Sequence, residues 1–217
     1  MIPLFSIETP FPTLFPETFF SYSFGIKNTK SPKTIRKKRA FLIPQTQFLF
    51  DEESFADFYM GWSMEGLSFF CDVHTPFKES CYPQFNEGDS LELWIDTRKP
   101  KGMFKLHKFC HHFLLLPTLV QGVQSIELSK FHRDDGHPLA PLNEAVVMTI
   151  MKNTSYSMEI FLPKEILYGY APDELSTLGF SYRLHRKHGP PQHFSLSSGA
   201  AKIEKNPALW ATVLCEI

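Results

Sequence analysis

The sequence predicts an all-β fold: a two-sheet antiparallel β-sandwich of jelly-roll type, with one or two short helices and an extended amino-terminal segment. Three observations carry that expectation. Apolar and polar residues alternate with period two in several stretches after Phe55, as in strands with one side on a core. Gly and Pro punctuate the gaps, at Gly88, Gly102, Gly122, Gly136, Pro163, Gly189, Pro190 and Pro191, where turns are needed. Helical periodicity is scarce, and many short strands without long helices between them read as a sandwich or barrel.

The chain has 217 residues, 43% of them hydrophobic, enough to bury a core without disulfide staples. Its 22 basic residues against 23 acidic ones speak against a general nucleic-acid binder, which carries a basic excess. No apolar run reaches the ~20 residues of a membrane-spanning helix, and 22 Phe are too much aromatic mass for a solvated coil. The first 20 residues are apolar but lack a basic lead. Pro3, Glu8, Pro10, Pro12 and Pro16 interrupt them, so no cleaved secretory signal is read. The expected compartment is the cytoplasm, with Cys71, Cys81, Cys110 and Cys215 as reduced, packed side chains.

Two units are expected along the chain, residues 1–50 and 51–217. Residues 1–24 are rich in Pro and Phe and are expected to lie extended on or beside the domain. The run Lys27–Arg39 contains no acid. It reads as an exposed, flexible loop, with an anionic lipid or nucleic acid as the alternative contact. The strands follow. Leu67, Phe69, Cys71 and Val73 share one face of 66–74, and Leu91, Leu93 and Ile95 share one face of 89–96. Residues 109–116 are apolar on both faces and suit the middle of a sheet. Further strands are expected over 145–152, 156–162, 178–185 and 210–216, and a turn of helix opens at Pro163.

Five segments taken in order resemble family 9 carbohydrate-binding modules and the related DOMON-like sandwiches. They are Phe58–Phe70 (FYMGWSMEGLSFF), Gly88–Arg98 (GDSLELWIDTR), Tyr156–Pro163 (YSMEIFLP), Leu178–Tyr182 (LGFSY) and Pro207–Leu214 (PALWATVL). The richer pieces, WIDTR and FCHHF, resemble a bacterial branch of that group rather than the sugar-binding modules themselves. The resemblance implies a β-sandwich in a group whose members bind sugar or haem; fold alone does not carry function.

Four residues make the first candidate site. Glu92, Trp94, Asp96 and Arg98 follow one strand face, where an exposed indole could cover a pyranose while charged groups meet its hydroxyls. The competing reading has the amino-terminal segment covering Trp94, with Asp96 pairing Arg98 or capping the turn at 99–102. Glu92 and Asp96 also offer oxygen to Ca²⁺. The second candidate is His107, Cys110, His111 and His112, with zinc-ligating chemistry. On a strand, His107 and His111 stand roughly 13 Å apart, so a metal or haem needs help from His185, His188 or His193. The competing reading makes them packed sheet residues. A basic stretch, Tyr182–His188, reads as a solvated strand end. No phosphate loop or nucleophile elbow occurs, so no enzyme is predicted. The expected role is a non-catalytic binding domain for a carbohydrate or similar small polar ligand. The alternatives are a structural or protein-interaction domain, and a metal- or haem-binding redox protein.

Overall fold

The computed structural model describes residues 22–99, 105–131, 135–174, 176–197 and 203–216. Residues 1–21, most of the Pro/Phe-rich stretch, lie outside them. Among the described residues the strands are β1 (Ser23–Asn28), β2 (Ala56–Ser63), β3 (Gly66–Val73), β4 (Ser90–Asp96), β5 (Cys110–Val120) and β6 (Val123–Glu127). They continue with β7 (Val146–Met151), β8 (Tyr156–Pro163), β9 (Thr177–His185), β10 (Gln192–His193) and β11 (Ala211–Glu216). One four-residue helix, α1 (Pro32–Ile35), and isolated 3₁₀ turns complete the described elements. The helical turn expected at Pro163 is one of these, Lys164–Ile166. Among the described residues no helix is long and apolar enough to cross a membrane.

The strands form one continuous sheet in the order β6-β5-β4-β9-β11-β1-β2-β3-β8-β7, with β10 beside β9. The sheet folds over on itself. Phe58 of β2 stacks on Tyr182 of β9 at 4.4 Å between ring centroids, and Phe69 of β3 on Phe180 of β9 at 5.8 Å. These contacts place the two halves face to face across the core. Period two supplies that interior: Leu67, Phe69, Cys71 and Val73 face it from β3, and Leu91, Leu93 and Ile95 from β4. Met158, Ile160 and Leu162 of β8, with Leu178 and Leu184 of β9, complete it. The two ends of the sheet meet, because Ser125 Oγ of β6 donates to Ala145 O just before β7 at 2.9 Å. This is the all-β sandwich that the alternation predicts.

β1 departs from the antiparallel expectation. It runs parallel to both neighbours, with Phe24 opposite Val213 on β11 and Lys27 opposite Gly61 on β2. Ser23–Asn28 of the amino-terminal segment is thus a strand of the sandwich itself, with Ile26 buried in the core. The basic run behaves differently from the flexible loop expected of it. Ile35 is fully buried against Tyr59 and Phe70 on the outer face of β2 and β3. Arg36 pairs with Glu159, and Lys37 with Asp72. Those carboxylates satisfy two of the cations and hold the segment across the sheet.

Candidate functional site

Alternation places Glu92, Trp94 and Asp96 on the outer face of β4, opposite the core-facing Leu91, Leu93 and Ile95. Neighbouring strands fix what surrounds them. Arg183 on β9 stands opposite Glu92, and His112 on β5 opposite Trp94. Trp94 is nevertheless 0% exposed, which overturns the expectation of an open indole platform. His112 stacks on the indole at 4.8 Å, and the Arg183 guanidinium lies 5.2 Å from its ring centre. Leu196, Ile203 and Trp210 pack with it, so described residues late in the chain supply its cover. Its Nε1 has no hydrogen-bond partner among the described residues.

Glu92 is the charged centre of this face. His112 Nε2 donates to Oε2 at 2.8 Å, His185 Nε2 to Oε1 at 2.8 Å, and Arg183 to Oε1 at 3.3 Å. Burial pushes its carboxyl up, but the two imidazole hydrogen bonds and the guanidinium outweigh it and hold Glu92 well below the usual carboxylate range. Nearby His193 accepts from Arg183 Nε at 3.2 Å. Burial, then the Arg183 charge and His185, lower its imidazole to about 3.

Asp96 caps the turn that follows β4, accepting from the Arg98 N–H at 3.0 Å and the Lys99 N–H at 2.9 Å. Both carboxylates of the calcium reading are thus committed to nitrogen donors. Arg98 lies past the strand end, where alternation no longer governs direction. Its guanidinium sits over Phe109 at 5.5 Å and 3.8 Å from Glu174, away from the Trp94 cover.

The four metal candidates divide among three places. His112 joins Glu92, as above. His107 Nε2 stands 3.3 Å from Asp96 Oδ2, and these two with Cys110 Sγ lie within 4.8 Å of one another. Burial, first, and the Asp96 charge push the Cys110 thiol up to about 12. His107 Nδ1 accepts the Phe109 N–H at 3.4 Å. His111, one residue before His112, points to the opposite face, where it meets Glu127 of β6 and His137. Glu127 Oε1 lies 2.9 Å from His111 Nδ1 and 2.9 Å from His137 Nε2. Burial raises the Glu127 carboxyl, but the imidazole hydrogen bonds and the Ala140 N–H bring it down to about 2. The helpers expected for a metal, His185, His188 and His193, are not in this group; Glu127 and His137 are. Their separation along the chain and their placement on β6 and a loop left no spacing to read.

Over the outer face of β4 and β5 opens a cleft of about 1050 Å³. Half-buried Tyr82, Phe85 and Phe131 line it together with Ser129, Asp135 and Glu204. Trp94 and Trp210 form its buried base.

No protein-family model matches the chain, and no curated protein sequence does. Solved structures do. A family 9 carbohydrate-binding module from Caldicellulosiruptor kristjanssonii in complex with glucose superposes with a TM-score of 0.63, at 11% identity over 89% of this chain and 95% of that one. The fold resembles that of the family 9 carbohydrate-binding modules. The same organism's family 9 module in complex with cellotriose gives 0.58 at 10% identity, covering 89% and 93%. A candidate carbohydrate-binding protein from Bacteroides uniformis gives 0.53 at 10% identity, covering 90% and 99%. At such identity the family 9 likeness concerns the path of the backbone.

Proposed function

We propose that the chain is a non-catalytic binding domain whose cleft over β4 and β5 takes a carbohydrate or a similar small polar ligand. The observation that carries this reading is the cleft's lining. Rings from Tyr82, Phe85 and Phe131 offer flat apolar surface, and Asp135 and Glu204 offer hydrogen-bonding groups beside them. A pyranose presents that mixture, with C–H faces for the rings and hydroxyls for the polar groups. The likeness to modules described with cellotriose and glucose supports the same class of ligand. Trp94 serves as a rigid floor in this reading, and Glu92 holds the His112 and Arg183 side chains that clamp it.

Calorimetric titration with glucose, cellotriose and a panel of other neutral and acidic oligosaccharides tests the proposal. Saturable binding is expected for at least one sugar, with Tyr82→Ala weakening it roughly tenfold, or ~1.4 kcal/mol. The same mixtures, analysed for released sugar, are expected to show no turnover. Absence of heat with every sugar, or unchanged binding by Tyr82→Ala, overturns the assignment of this cleft.

A further inference from the structure

The cluster of His111, Glu127 and His137 is buried on the face of β5 opposite Trp94, and His111, Ser129 and Phe131 also belong to the cleft's lining. Phe113, directly opposite Glu127 across the β5/β6 ladder, stacks on His111 at 5.7 Å. Tyr168 stacks on His137 at 5.6 Å, and Phe131 meets His137 edge-on at 4.7 Å. The three polar side chains are 0%, 0% and 1% exposed. Such an enclosure is costly for a carboxylate without a compensating charge, and no Lys or Arg among the described residues pairs with Glu127.

The hydrogen-bonding pattern shows what kind of charge fits. His111 Nδ1 and His137 Nε2 both point at Glu127 Oε1. The far nitrogens point at backbone carbonyls, His137 Nδ1 at Lys108 O at 2.6 Å and His111 Nε2 at Tyr168 O at 3.4 Å. All four ring nitrogens therefore face oxygen acceptors, whereas two neutral imidazoles carry only two N–H groups. A cation between the inner nitrogens and the carboxylate resolves that shortage. The far N–H groups then donate to the two carbonyls, the arrangement that fixes the tautomer and orientation of metal-bound histidines. Glu127 is held from its other side as well, since Oε2 accepts the Ala140 N–H at 2.7 Å and Oε1 the Ser129 hydroxyl at 2.7 Å.

We infer that His111 Nδ1, His137 Nε2 and Glu127 Oε1 form a site for one divalent transition-metal ion, zinc by the chemistry of the donor set. The three ligand atoms lie within 4.8 Å of one another. Two imidazoles and one carboxylate suit zinc, whose bonds to nitrogen and oxygen are about 2.0–2.2 Å. A shift of a few tenths of an ångström in the inner distances admits it. The neighbouring Asp96, His107 and Cys110 group lacks the decisive feature. There Nδ1 of His107 accepts the Phe109 N–H, so no far N–H remains to donate to an oxygen as a metal-bound histidine's does.

The test uses the full chain, stripped with a chelator and titrated with zinc(II) alone, then with cobalt(II) alone. One zinc per chain is expected, and cobalt is expected to give the visible bands of a low-coordinate ion without a thiolate charge-transfer band. His137→Gln should weaken zinc binding roughly hundredfold, while Cys110→Ser leaves it unchanged. X-ray absorption of the wild-type zinc complex covers the case of a variant that does not fold. A first shell of nitrogen and oxygen supports the site, and sulfur at about 2.3 Å moves the ion to Cys110 and overturns it. Failure of the stripped protein to take up zinc or cobalt also overturns it. Sugar titration of the stripped protein keeps this result separate from the cleft's role.

Discussion

Two buried glutamates sit on opposite faces of the same half of the sandwich, and each meets two histidines. Glu92 faces outward on β4 and Glu127 inward on β6, with consecutive residues His112 and His111 of β5 serving one each. The difference is the fixed cation. Arg183 stands beside Glu92, a permanent cation for the carboxylate that His112 and His185 each reach through one ring nitrogen. Glu127 has no such partner among the described residues, and both rings beside it are ringed by acceptors. A strand pair can thus hold two similar-looking carboxylate–histidine groups of different kinds, one complete as it stands and one that asks for an added ion.

The largest effect expected from breaking this contrast is at Arg183. Arg183→Met leaves Glu92 without its permanent cation and should cost about 3 kcal/mol in urea unfolding, equally with and without chelator. An equal stability for variant and wild type would mean that the histidines suffice. Next comes the ion. With zinc at a hundredfold its dissociation constant, chelation should lower wild-type stability by ~2.7 kcal/mol and leave Glu127→Gln unmoved. Acid provides a third measure. His193 is held near 3 by burial and by Arg183 and His185, while the unfolded chain takes up that proton near 6.5. Between those values the unfolded state binds more protons, so stability falls as pH is lowered, by up to about 1.4 kcal/mol per unit. His193→Gln should flatten that limb of the unfolding profile between pH 6 and 4. The smallest effect belongs to an ion pair with an exposed lysine on the other half. Lys37, 55% exposed beside Asp72, should cost under ~1 kcal/mol on Lys37→Ala.

Much of the frame was legible because period two is a strong signal wherever one face is apolar. β3, β4, β8, β9 and β11 all show it, and the outward grouping of Glu92, Trp94 and Asp96 followed from it. β6 did not show it, since its inward Ser125 and Glu127 are polar and break the expected alternation. β1 was hidden among Ser, Gly and Lys, and its partners lie far along the chain. For the site, alternation gives direction but not cover. It said which way Trp94 points, and could not say that Arg183, His112 and the segment reaching Trp210 close over it. Arg98 leaves the line of Glu92, Trp94 and Asp96 because the strand ends at Asp96. Glu127 and His137 carried no motif, as their meeting with His111 is made by the ladder between β5 and β6 and by a loop.

The parallel position of β1 bears on how the protein is made. Five of its residues align with β11 and only two with β2, yet β11 starts at Ala211, far along the chain from Asn28. During synthesis β1 emerges before its main partner, which follows every other described strand. Until then β1 and β9 each offer an unmatched edge to any passing chain. β11 acts as a closing seam, and a nascent chain halted before it would be the form most in need of a chaperone.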